Sequence, residues 1–119
     1  MHEFAIAQGL LKIVECEALP YAGAKVLRIK LRVGKMSGVM PDALKFAFEV
    51  ISQGGVAMDA CLEIEEIPLR VRCHHCGGIF AVDVPFMICS HCQSTDVEMI
   101  SGRELEIESM EIEDGNQGS

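Results

Sequence analysis

Four of the six cysteines fall into two pairs, Cys73-His74-His75-Cys76 and Cys89-Ser90-His91-Cys92, with twelve residues between the pairs, while Cys16 and Cys61 stand alone. Two thiolates at this spacing can face one ion from a single tight turn, and two such knuckles complete a tetrahedral four-sulfur shell, which suits Zn2+. Gly77-Gly78 supplies the permissive backbone that a knuckle turn wants. The same spacing also admits a redox-active dithiol or a rubredoxin-like iron site. With Cys73, Cys76, Cys89 and Cys92 all on the ion, no position remains for water, so a zinc ion held this way is structural rather than catalytic. His74, His75 and His91 sit inside the knuckles without being required by a four-sulfur shell. They are either solvated spacers or rings that charge near the reference imidazole pKa of ~6.5 and let the knuckles sense pH. A second group lies at the start, where Met1-His2-Glu3 places an amine, an imidazole and a carboxylate side by side. Chain ends are ordinarily uninformative, so this is either accident or a metal site built from the terminus itself.

The rest of the chain must position these groups. Its 119 residues, 50% hydrophobic and 24% charged, suffice for one domain or one domain with a small appendage. No apolar run approaches the ~18 residues of a membrane span, and no leader precedes the first element, so a soluble, cytoplasmic protein without membrane contact is expected. With 10 Lys plus Arg against 18 Asp plus Glu, the net charge of −8 works against binding nucleic acid. In a reducing compartment, cysteines at these spacings point to metal rather than disulfides. Cys16 and Cys61 are expected to pack as small buried hydrophobes. The segment from about Val71 to Ile100 has too few apolar residues to hold a core alone, whereas a bound metal can contribute on the order of 10 kcal/mol to its folding.

Periodicity assigns the elements. Ala7, Leu10, Leu11 and Val14 recur at helical spacing from Glu3 to about Ala18, and Pro20 stops the pattern. "VLRIKLRV" alternates, predicting a strand with Leu27, Ile29, Leu31 and Val33 on one face and Arg28, Lys30 and Arg32 on the other. Pro41 opens a second helix with Leu44, Ala47, Phe48 and Ile51 as its stripe, and Gly54-Gly55 closes it. "CLEIEEI" and "RELEIESMEIE" are strands with acidic outer faces, the latter slipping phase before Met110. Opposite charges pair favourably across strands, so the basic strand belongs between the two acidic ones, parallel to the first through the intervening helix. The expected fold is α+β: two helices on a three-stranded mixed sheet, with an inserted four-cysteine zinc-ribbon lobe. Residues 1–69, completed by a strand over 103–113, form one domain; 70–102 form the zinc-binding lobe; 114–119 read as a disordered tail.

"MHEFAIAQGLL", "VGKMSGVMPDALKFAFEVI" and "CHHCGGIF" with "CSHC" together resemble the HypA/HybF family of nickel metallochaperones, over nearly the whole chain from Met1 to about Glu113. Ser90 stands where proline is frequent in the family, at a position that is not a ligand. The resemblance implies Ni(II) as transient cargo on the N-terminal lobe, structural Zn(II) on the other, and delivery of nickel to the nickel-iron hydrogenase large subunit with a HypB-type GTPase. Under that reading Met1, His2 and Glu3 are the nickel-binding residues. The terminal amine, the His2 amide and the His2 imidazole can close successive chelate rings around one ion, with Glu3 adding a donor through its amide or carboxylate. No constellation for an enzyme is present apart from that terminus. The alternative is a zinc-ribbon module for protein interaction or nucleic-acid binding, but the latter wants basic and aromatic residues around its knuckles, and the segment offers chiefly Arg70, Arg72 and Phe80, with no tryptophan anywhere in the chain. A monomer or weak homodimer is expected.

Overall fold

A computed structural model describes residues 2–21, 23–82 and 88–113. Its elements in chain order are α1 (His2–Ala18), β1 (Lys25–Gly34), α2 (Pro41–Ile51), β2 (Cys61–Ile67), β3 (Leu69–Cys73), β4 (Ile79–Val82), β5 (Val97–Ser101) and β6 (Leu105–Glu113). None of the described helices is long and apolar enough to cross a membrane. The segment 114–119, read from sequence as a disordered tail, lies outside the described residues.

The two helices pack on each other through their apolar stripes. α1 buries Ala7, Leu10, Val14 and Ala18, with Leu11 half-buried, and α2 buries Leu44, Ala47 and Phe48. Met40, forced to extended backbone by the following proline, caps α2 at φ −91 and ψ 116. The first sheet has the order β2-β1-β6, so the basic strand is central. Its two sides run in opposite senses. Gly34 and Met36 N–H donate to the carbonyls of Glu104 and Gly102, both at 2.7 Å, so numbers rise on one strand as they fall on the other. Arg28 instead meets Glu63 at 3.2 Å and Lys35 N–H meets the Ile67 carbonyl at 2.9 Å, rising together. That is a mixed sheet, and Arg28–Glu63 with Arg32–Glu106, at 2.7 Å, are the cross-strand pairs the charge pattern demanded.

Two expectations need correction. Val26, not Leu27, is buried at the start of β1, and the strand regains its alternation only at Ile29. The Val26 N–H donates to the carbonyl of Val56 at 2.9 Å, so the first residues of the strand follow that loop before joining the regular ladder. Cys16 and Cys61 are exposed rather than buried. Cys16 lies two residues from buried Val14, which rotates it to the far side of a helix, and Cys61 is the first residue of an edge strand.

Contacts divide the chain into two compact units. One gathers the residues up to Leu31, Val39–Ile64 and those from Ile107 on; the other comprises Arg32–Gly38 and Glu65–Glu106. The second unit holds an antiparallel sheet of order β4-β3-β5. Leu69, Val71 and Cys73 are its buried row, and the intervening Arg70 and Arg72 face outward. A bulge between Arg70 and Val71 shifts the register against β5. Where this sheet begins and ends, Ser101 Oγ donates to the Pro68 carbonyl at 2.8 Å, fastening the incoming and outgoing chain together. Gly34 passes so close to Gly102 that a Cβ would sit 2.0 Å from the Gly102 carbonyl oxygen.

Candidate metal centres

The ribbon's two knuckles repeat one local design. In the first, Gly77 N–H donates to the Cys73 carbonyl and Cys73 N–H to the Gly78 carbonyl, both at 2.9 Å; in the second, Gln93 and Ser94 play the same parts for Cys89, also at 2.9 Å. Gly77 reaches φ +75 to close its turn, and Gln93 does so at φ +62 despite its side chain. Backbone donors then converge on sulfur: Cys76 N–H on Cys73 Sγ, and the N–H groups of His91 and Cys92 on Cys89 Sγ, each at 3.4 Å. Thiolates held this way carry their charge more cheaply.

The four sulfurs fit one ion. Ligands at about 2.3 Å in a tetrahedron place sulfurs about 3.8 Å apart. Cys73 and Cys92 Sγ stand 3.6 Å apart, as do Cys76 and Cys89 Sγ, and all four lie within 4.8 Å of one another. Cys73 and Cys89 are buried, Cys76 and Cys92 exposed. Among the thiols themselves, the Cys92 N–H, opposed by burial and aided by the His91 N–H, draws Cys89 down to about 6. The Ser94 N–H pulls Cys92 down, but burial and the Cys89 and Cys73 sulfurs outweigh it and push the thiol up to about 12. For Cys76 the Gly78 N–H is likewise outweighed, by proton sharing with Cys89 and by burial, and the thiol is raised. An ion must therefore displace protons on entering, and acid weakens its hold.

None of the three knuckle histidines joins the sulfur group among the described residues. His74 Nε2 lies 3.6 Å from Glu98 Oε1, which Arg72 also approaches at 3.6 Å; the His91 ring meets Phe80 edge-on, centroids 6.2 Å apart; His75 is exposed.

In the other unit, His2 opens α1 with its side chain 65% exposed, while the Glu3 side chain is only 11% exposed. Their Nε2 and Oε2 atoms are 3.6 Å apart. Glu3 Oε2 also accepts the Met40 N–H at 3.3 Å, and that donor, with the N–H of Glu3 itself, holds the carboxyl below the usual carboxylate range. Met1 lies outside the described residues. Periodicity could not foresee Met40 as the partner of Glu3, because a backbone donor thirty-seven residues away leaves no pattern in side chains.

A family model described as hydrogenase/urease nickel incorporation, metallochaperone, hypA, matches residues 1–112. Over 114 residues the chain is 47% identical to hydrogenase maturation factor HypA of Nostoc punctiforme, covering 96% of this chain and 97% of the relative. The factor of the same name from Dehalococcoides mccartyi is 39% identical over 119 residues and covers all of both chains. The solution structure of the Ni metallochaperone HypA from Helicobacter pylori superposes with a TM-score of 0.64 at 25% identity, over 93% of this chain and 97% of that one.

Proposed function

Since the chain belongs to the HypA family of nickel metallochaperones for hydrogenase and urease, which are not enzymes, we propose that it binds Ni2+ at its N-terminus and delivers it during hydrogenase maturation. In this reading Met1, His2 and Glu3 hold the cargo, the nickel-iron hydrogenase large subunit receives it, and a HypB-type GTPase cooperates in the cytoplasm. Cys73, Cys76, Cys89 and Cys92 hold a structural zinc ion.

The observation that carries the nickel site is the exposed His2 imidazole on the first turn of α1, backed by the carboxylate of Glu3 at 3.6 Å. The first N–H groups of a helix have no intrahelical acceptor, so amide nitrogens there can be deprotonated for a metal without breaking the ladder. An amine, amides and an imidazole make a nitrogen-rich, tetragonal field that Ni2+ accepts. The anchored Glu3 orients the imidazole and can add a donor.

Calorimetric titration of untagged protein tests this. His2→Ala should abolish tight Ni2+ binding and leave about one zinc per chain, because the two sites share no donor. An N-terminal tag, which turns the amine into an amide, should act alike. Unchanged nickel affinity in His2→Ala overturns the terminal site, and full hydrogenase maturation with that variant overturns its role in delivery.

A further inference from the structure

The fold solves one problem twice, and the second solution is incomplete. On β1 the basic side chains alternate along the outer face, and the flanking strands answer with carboxylates, Glu63 to Arg28 at 3.2 Å on one side and Glu106 to Arg32 at 2.7 Å on the other. The central strand of the ribbon repeats the pattern as Arg70-x-Arg72. Here β5 supplies one carboxylate, Glu98, which Arg72 shares with His74 at 3.6 Å each. On the other side β4 places Ala81 opposite Arg70 and Ile79 opposite Arg72. Arg70 is exposed, and its two cross-strand neighbours, Ala81 and Ser101, offer it no carboxylate. Ile79 and Ile100 are 47% and 39% exposed on the flanking strands.

We propose that this outer face of the β4-β3-β5 sheet, Arg70 and Arg72 bordered by Ile79 and Ile100, docks an extended acidic segment of a partner protein. Arg70 and Arg72 project about 7 Å apart, the spacing of alternate side chains in an extended strand, so a Glu-x-Glu segment presents its carboxylates in register. The chain's own acidic strands have that spacing, and two of their carboxylates, Glu63 and Glu106, are already paired within their own copy; each copy also carries a net charge of −8, so two copies repel each other, and self-association through the remaining carboxylates is an outcome of the test. Nucleic acid fits less well. The lone aromatic among the described residues of the ribbon sheet, Phe80, pairs with buried Val71 on the inner face and is not offered to a base.

The test uses full-length, zinc-loaded, isotopically labelled protein and three titrants: a capped Val-Glu-Ile-Glu-Val peptide, its Val-Gln-Ile-Gln-Val analogue and a ten-nucleotide single-stranded oligothymidine. The Glu peptide should move the backbone amides of Arg70, Arg72, Ile79 and Ile100 and the two arginine side-chain N–H signals. The Gln peptide should bind at least roughly tenfold more weakly, as should the Glu peptide on an Arg70→Gln/Arg72→Gln variant. Unchanged zinc content and unchanged amide dispersion in α1 and α2 show that the variant is folded. Equal affinity for the two peptides, or shifts that avoid β3, overturn the proposal. Tighter binding of the oligonucleotide to the same residues replaces it with a nucleic-acid site, and shifts at these residues on concentrating the protein alone replace it with self-association. None of these outcomes depends on nickel binding.

Discussion

The helical unit and the ribbon unit hold themselves together by different means. In the first, Val14, Val26, Ile29, Leu31 and Leu44 are shut from solvent and Phe48 nearly so, donated by both helices and the central strand. Among the described residues of the second, the fully buried side chains beyond Val33 are Leu69 and Val71 and then Cys73 and Cys89, two of the four sulfurs drawn to a common point. An ion held by those sulfurs would take over part of the role of a core, and its loss should then be felt locally.

Cys73→Ala is therefore expected to have the largest effect. It removes one of the four sulfurs proposed to hold the ion, and a structural ion would contribute on the order of 10 kcal/mol, so the ribbon should lose its fold. In two-dimensional NMR the amides of β3, β4 and β5 should collapse to unfolded shifts, while those of α1 and α2 keep theirs. Collapse of both sets would break the comparison, since it would make the helical core dependent on the ion. Acidification should approach the same state by another route. A thiol binds an ion only as the thiolate, so protons compete with the ion for all four sulfurs. Metal retention should decline with acid and recover with base.

A smaller effect, still large for one atom, is expected at Gly34. A Cβ there would meet Gly102 carbonyl oxygen at 2.0 Å and Arg103 nitrogen at 2.5 Å, both backbone, so nothing can swing aside. Gly34→Ala should destabilise by about 3 kcal/mol, measured by denaturant unfolding. Gly9, inside α1 with nothing within 4 Å of a built Cβ, provides the contrast. Gly9→Ala should stabilise by roughly 0.5 to 1 kcal/mol through helix propensity alone. Equal losses at both would mean that the close crossing at Gly102 carries no strain.

These positions mark the boundary of what the sequence makes legible. Element order, the central place of β1 and the two knuckles were readable, because apolar period, alternating charge and cysteine spacing are all carried by side chains. Gly34 and Gly102 were not, since a close backbone approach writes only "Gly", which a turn also writes. The Met40–Glu3 bond and the Ser101–Pro68 clasp were equally hidden, as their acceptors or donors are main-chain atoms far away in sequence. Exposed Cys16 shows a different failure: cysteine is buried so often that composition outvoted the helical phase, although counting from Val14 would have placed it outward.

The smallest expected effects belong to the ion pairs on β1, one in each unit: Arg28–Glu63 in the helical unit and Arg32–Glu106 in the ribbon unit. Both are substantially exposed, with side-chain exposures of 51% and 40% in the first and 37% and 52% in the second. At such sites the Coulomb gain is largely screened and ordering two long side chains costs entropy, so each coupling should fall below about 1 kcal/mol. Double-mutant cycles with Arg28→Met/Glu63→Gln and Arg32→Met/Glu106→Gln should give similar small values that shrink further in about 0.5 M salt. Their role is in choosing neighbours: a basic strand flanked by another basic strand would meet like charges along its length, and the acidic faces of β2 and β6 exclude that register. A coupling several times larger in the ribbon unit than in the helical unit would show that a unit with the smaller apolar core leans on its surface charges as well, and would sharpen the difference between the two units.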